Sequence, residues 1–228
     1  MRRNLSAYRD WQVFLNYPFD VGFADLEYAL HFPVVAAGLL PVCAKDLTVP
    51  DRPRLEILVD AIRNCRYSAH EFSRVTGEGL ANFARMNMPL EMGMALFHAI
   101  ETQRREHRCA FFVPMPHDYQ RFASDLAGLD PQCHNNDPRQ LVSAVYEWLR
   151  GIVPAAIFTS VPTVEVTQKY EVFCARLREV RGSGENCKAS HDETQELMYQ
   201  MCSECGWWDW RNMKAGLQEF PPIPLAWR

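Results

Sequence analysis

The feature that most restricts what this chain can fold into is an alternation of short apolar runs with segments whose apolar residues recur at helical spacing. "WQVFLNYPF", bounded by Asp20 and Gly22, "LLPVCA", "RYSAHEFSR" and "CAFFV" read as four strands. Between them lie helical patterns. Asp20 is placed to cap a helix carrying Phe23, Leu26 and Leu30 on one face, with Pro33 limiting its length. Asp51, with Pro53 in the first turn, opens a second whose Leu55, Leu58, Val59 and Ile62 fall at i, i+3, i+4 and i+7. Met92, Ala95, Leu96 and Ala99 mark a third, "DYQRFASDLAG" a fourth closed by Gly128, and "DPRQLVSAVYEWLRG" a fifth with Asp137 as cap. Strand and helix in strict turn predict an α/β fold: a three-layer, flavodoxin-like parallel sheet, strand order 2-1-3-4-5, flanked by helices.

The pattern changes near residue 151. "IVPAAIF" is expected to add an edge strand, "PTVEVTQKYEVFCARLREV" and "SHDETQELMYQMCSEC" to be helices joined by "RGSGENCK", and "FPPIPLAW" to be extended. Residues 1–150 are therefore taken as an α/β domain, and 151–228 as a mostly helical extension packed on it. No internal repeat is visible.

At 228 residues the chain can bury a full core without staples. A net charge of −4 offers no bulk attraction to nucleic acid or anionic membrane, and no run approaches the ~18 apolar residues of a membrane span. The N-terminus passes from "MRR" to an aromatic strand without a signal-type apolar region, which predicts a cytoplasmic protein. Eight cysteines, scattered through apolar segments, read as reduced core thiols.

In open parallel sheets ligands bind beyond the carboxyl ends of the strands. That rule selects Asn16, Tyr17, Phe19 and Asp20, the loop from Lys45 to Arg54, Ser68 to Arg74, and "PMPHDY". No P-loop, G-x-G-x-x-G or G-x-S-x-G signature is present. What stands out is Glu91, a carboxylate at the front of the apolar stripe in "NMPLEMGMAL" with no other acid between Glu78 and Glu101. Two readings compete. As the N3 residue after Pro89 it would satisfy the helix N-terminus; facing the rim, it would hold a ribose or stabilise an oxocarbenium-like transition state.

The order of elements, together with "VFLNYPFD", the stretch "PVCAKDLTVPDRPRLEILVDAIRNCRYSAHEFSR" and "NMPLEMGMAL", resembles the Toll/interleukin-1 receptor (TIR) domain over roughly residues 10 to 150. The last motif is similar to the helix bearing the catalytic Glu in bacterial TIR-type NAD-cleaving enzymes and in nucleoside 2-deoxyribosyltransferases. The resemblance implies that Glu91 is catalytic, that Tyr17 or Phe19 stacks near the leaving base, and that Ser68 and Asn87 hydrogen-bond the sugar or amide. Asn16 joins that substrate-binding set. Asp46, Arg52 and Arg54 would lie on the BB loop, which closes the site and contacts a neighbouring protomer. NAD would be a substrate, with no cofactor and no metal, the product a signal in antiviral defence, and the partners a second copy or another defence protein. Two alternatives remain: a non-enzymatic assembly module, and base exchange on nucleosides. The chain departs from the family in having Met88 and Pro89 where a Trp-Cys pair precedes the Glu, and in lacking the usual BB-loop Gly.

Three other features carry less. His191, Cys187, Cys202 and Cys205 have zinc-type side chains, but one helix would separate His191 from Cys202 by about 16 Å at ~1.5 Å per residue. Ser190 and Glu193 fit a capping box instead. "RREHR" follows a helix and reads as C-terminal capping, and "CGWWDWR" as packing or a partner surface.

Overall fold

The computed structural model describes residues 5–19, 21–47, 51–74, 86–121, 123–181 and 190–208. Five parallel strands, β1 (Gln12–Asn16), β2 (Leu40–Cys43), β3 (Tyr67–Glu71), β4 (Arg108–Val113) and β5 (Gln132–Cys133), form one sheet in the order β2-β1-β3-β4-β5. β1, β2 and β3 are buried along their whole length, as strands covered on both faces must be. Side chains alternate between those faces. Phe14, Val42 and Ala44 pack with α2 (Arg54–Asn64) and α3 (Asn87–Glu101), while Val13, Leu15, Cys43, Tyr67 and Phe112 join the core built by α1 (Ala24–Ala36) and α4 (Pro138–Ile152). Outside α1 and α4 lie α5 (Thr163–Arg181) and α6 (His191–Glu204), whose Val166, Tyr170, Phe173, Met198 and Met201 belong to that same core.

The α/β class and strand order stand as expected, and several local expectations do not. The expected strand "IVPAAIF" is a turn instead: the carbonyl of Pro154 accepts from Ile157 and Phe158, and Thr159 donates to Ala37, so the segment folds over the end of α1. The fifth strand is the two-residue β5, too short to show a period. "DYQRFASDLAG" forms two 3-10 turns, Asp118–Arg121 and Ser124–Leu126. Pro33 lies inside α1, which runs on to Ala36 because burial on all sides offsets the lost N–H. α2 starts at Arg54 after Pro53, and its buried face is Ile57, Leu58, Ala61 and Ile62 while Leu55 faces solvent. A 3-10 helix, Leu5–Trp11, precedes β1. After α3, Arg104 folds back through its backbone N–H to Ala99, and no arginine of "RREHR" lies in the last turn. Asp20, "RGSGENCK" after its first residue, Cys187 and "FPPIPLAW" fall outside the described residues, as does "CGWWDWR" beyond Trp208, which packs on Tyr199.

Candidate functional site

Where the strand order reverses, between β1 and β3, the carboxyl ends of the strands open into a cleft of about 410 Å³ including its mouth. Asn16, Tyr17, Pro18 and Phe19 from the end of β1, Ala44 and Arg54 from the β2–α2 connection, and Asn87, Met88 and Glu91 from α3 line it. Glu91 is the fifth residue of α3, not the third, and the first turn holds no acid. The capping role is therefore gone. Its side chain joins Met88, Met92, Ala95 and Ala99 on the buried face, only 8% exposed. Among the described residues no hydrogen bond or ion pair reaches its carboxylate. Burial pushes its pKa up to about 7, with the more distant Arg54 charge pulling the other way. An unpaired, desolvated carboxylate is costly unless something positive comes to meet it.

Asn16 lines the cleft, yet its amide is engaged. Nδ2 donates to the Met88 carbonyl at 2.8 Å and lies 2.9 Å from His70 Nδ1, fixing the end of β1 to the start of α3. From His70 the bonds run inward: His70 Nε2 to Ser68 Oγ at 2.9 Å, Ser68 Oγ to His107 Nε2 at 2.8 Å, His107 Nδ1 to the Cys65 carbonyl at 2.9 Å. One direction satisfies every group: Asn16 donates to His70, His70 to Ser68, Ser68 to His107, and His107 to Cys65. Burial holds both rings neutral, His70 down at about 3 and His107 at about 4. Ser68, expected at the sugar, is the second residue of β3 and fully buried in this chain, so it is a structural link and not a cleft residue.

Strand alternation sends the next expected residue the other way. Asn16 faces α3, so Tyr17 faces α1, where its hydroxyl donates to Glu27 Oε1 at 3.0 Å and meets His31 Nε2 at 3.0 Å. Tyr17 thus lines the cleft with its hydroxyl already engaged. Phe19 stays at the mouth, 41% exposed, edge-on to Tyr17 with ring centroids 5.2 Å apart and Lys45 Nζ 5.1 Å from its own centroid. Asp46 is also turned to the α1 side, its Oδ2 accepting from the Cys43 N–H at 2.8 Å and its Oδ1 lying 3.0 Å from His191 Nε2. Arg52 pairs with Asp60 and Glu56 on the exposed face of α2. Of the expected residues, the cleft thus gathers Glu91, Asn87, Asn16, Tyr17 and Phe19, with Arg54 from the β2–α2 connection.

Two polar groups went unnoticed in the sequence. Glu71 at the end of β3 accepts from Ser73 and sits 3.2 Å from His134 Nε2, both fully buried. Glu27, His31, Lys45 and His191 gather around Cys43 and Asp46 behind Tyr17. The available signal was Glu27 and His31 at i, i+4 in α1, whose residues after Asp25 are otherwise apolar or aromatic. No protein-family model, curated protein or solved structure matches this chain.

Proposed function

We propose that the chain cleaves the N-glycosidic bond of NAD or a closely related nucleotide, with Glu91 as the group that meets the ribosyl cation. The observation carrying this reading is the nearly buried Glu91 carboxylate, without a hydrogen-bond or ion-pair partner among the described residues, at the switch point of a parallel sheet. A substrate whose reacting end is positive supplies the missing countercharge and draws the carboxyl into its ionised form.

The rest of the cleft narrows the substrate. Among the described residues its lining contains one carboxylate, Glu91, which this reading places at the ribosyl carbon, and the Tyr17 hydroxyl is bound up with Glu27 and His31, so no second described side chain there stands ready to protonate a leaving base. Nicotinamide in NAD needs no such proton. As the bond from C1′ breaks, the electron pair moves to the positively charged pyridinium nitrogen, which leaves as neutral nicotinamide. The positive charge passes to the ribosyl carbon beside Glu91, and water or another nucleophile adds there and gives up its proton. Purine and pyrimidine nucleosides require an acid to take the departing pair, which ranks base exchange lower. Arg54 at the rim suits the pyrophosphate, and exposed Phe19 suits stacking on a planar ring.

Incubation with NAD followed by chromatography tests the reading. Release of nicotinamide by the parent, lost on Glu91→Gln, is expected. Release undiminished in Glu91→Gln, or base exchange on a deoxynucleoside with no action on NAD, overturns it. No turnover of either substrate favours the assembly module.

A further inference from the structure

On the opposite side of the rim from Glu91, three side chains of different chemistry converge: Cys43 at the end of β2, Asp46 just after it, and His191 at the start of α6. His191 Nε2 lies 3.0 Å from Asp46 Oδ1 and 3.6 Å from Cys43 Sγ, and the three donor atoms are all within 4.8 Å of one another. Two donors on one tetrahedral zinc, with bonds of about 2.0–2.3 Å, stand roughly 3.3–3.8 Å apart. We propose that Cys43, Asp46 and His191 bind a zinc-type divalent transition metal ion that fastens α6 to the sheet.

The surroundings are those of a metal ligand set. Glu27 Oε1 faces the other ring nitrogen, His191 Nδ1, at 3.5 Å, the carboxylate–imidazole arrangement that orients a metal-bound histidine. The Asp46 carboxylate is preset by the Cys43 N–H. Gln195 Nε2 lies 2.9 Å from His191 Nε2, a pair in which the ring nitrogen accepts when the imidazole carries its proton on Nδ1. Turning that amide over presents its oxygen as a fourth donor. Lys45, the cation facing the group, is neutralised by its 2.5 Å pair with Glu27, and Tyr17 and His31 complete the wall. Thiolate, imidazole and carboxylate together suit zinc far better than magnesium or calcium. On binding, the metal–sulfur, metal–nitrogen and metal–oxygen bonds form as water leaves the ion and as the thiol proton of Cys43 and any imidazolium proton of His191 pass to solvent.

The test uses the full chain, produced with and without added zinc and freed of loose metal by gel filtration. About one zinc per chain is expected, and cobalt(II) in its place should give an intense thiolate charge-transfer band. Cys43→Ser and His191→Ala should lose the metal, Cys202→Ser and Cys205→Ser should keep it, and Glu27→Gln should weaken affinity about 10–100-fold. Removal of the metal by chelator should lower the melting temperature. Failure of the parent to retain or take up zinc, a cobalt spectrum without the thiolate band, or full zinc content in both Cys43→Ser and His191→Ala overturns the assignment. The cobalt spectrum of the parent needs no substitution, so it decides the matter even if a variant does not fold.

Discussion

Glu91 has opposite consequences for stability and for chemistry. In the unfolded chain its carboxyl titrates as an ordinary glutamate, near 4.5, and in the folded protein burial moves this to about 7. Between those values the folded state holds the proton more tightly, so stability falls as pH rises through the window. At about 1.4 kcal/mol per tenfold change in proton affinity, the ionised side chain costs about 3 kcal/mol at pH 8. Glu91→Gln should therefore match the parent in denaturant melts at pH 4 and exceed it at pH 8 by up to about that amount. Equal stability at both pH values would mean that the carboxylate is compensated in solution. Chemistry runs the other way. If the ionised form meets the ribosyl cation, kcat/KM for NAD should climb with pH and level off above about 7, and the Gln variant should lose on the order of a hundredfold or more. A flat profile between pH 5 and 8 would remove Glu91 from that role.

At the scale of elements, β3 shows what a pattern of polarity conceals. "YSAHE" has too many polar residues for an interior strand by composition, yet all five positions are buried, because Ser68 and His70 find partners on the α3 side and Glu71 finds them at the strand end. Ser68→Ala should leave two buried imidazoles facing each other without their shared hydroxyl, at a cost of about 1–3 kcal/mol in denaturant unfolding, with KM for NAD unchanged. A variant of parental stability with a raised KM would return Ser68 to the substrate. The long, periodic elements were legible: the strands from β1 to β4, α4 with its Asp137 cap and Pro138, and α6 with the Ser190–Glu193 capping box all lie where propensity and spacing put them. Short elements were not, since β5 has two residues and the 3-10 turns too few to repeat a period. Glu91 was legible as a rim residue because a helix entry after a strand fixes where its first turns point, and Asn87 entered only through the family resemblance. Ser68, the Tyr17 hydroxyl and Asp46 turn away from the cleft because which face a strand residue takes depends on register and on what packs there, and His191 meets Cys43 across 148 positions of sequence.

At the scale of the molecule, α5 and α6 decide whether the chain behaves as one unit. α1 presents Tyr28 and Phe32 to Phe173 at ring separations of 6.0 and 5.5 Å, Tyr170 lies 5.7 Å from Phe32, and its hydroxyl donates to the Asp25 carbonyl at 2.9 Å. On the other side of the same helix stands the sheet. A helix buried on both flanks cannot keep its place if one is taken away, so the extension and the sheet should unfold together. Phe173 is fully buried, and shortening it to Ala leaves a cavity in the shared core, a change that typically costs about 3–5 kcal/mol. Phe173→Ala should accordingly lower the melting temperature of the entire protein in a single transition, read identically by far-ultraviolet circular dichroism and by hydrogen exchange of β1 and β3 amides. If exchange in β1 and β3 stays at the parental rate while only α5 and α6 become labile, the extension is a separate folding unit, and its hold on α1 is not what keeps the Glu91 rim in shape.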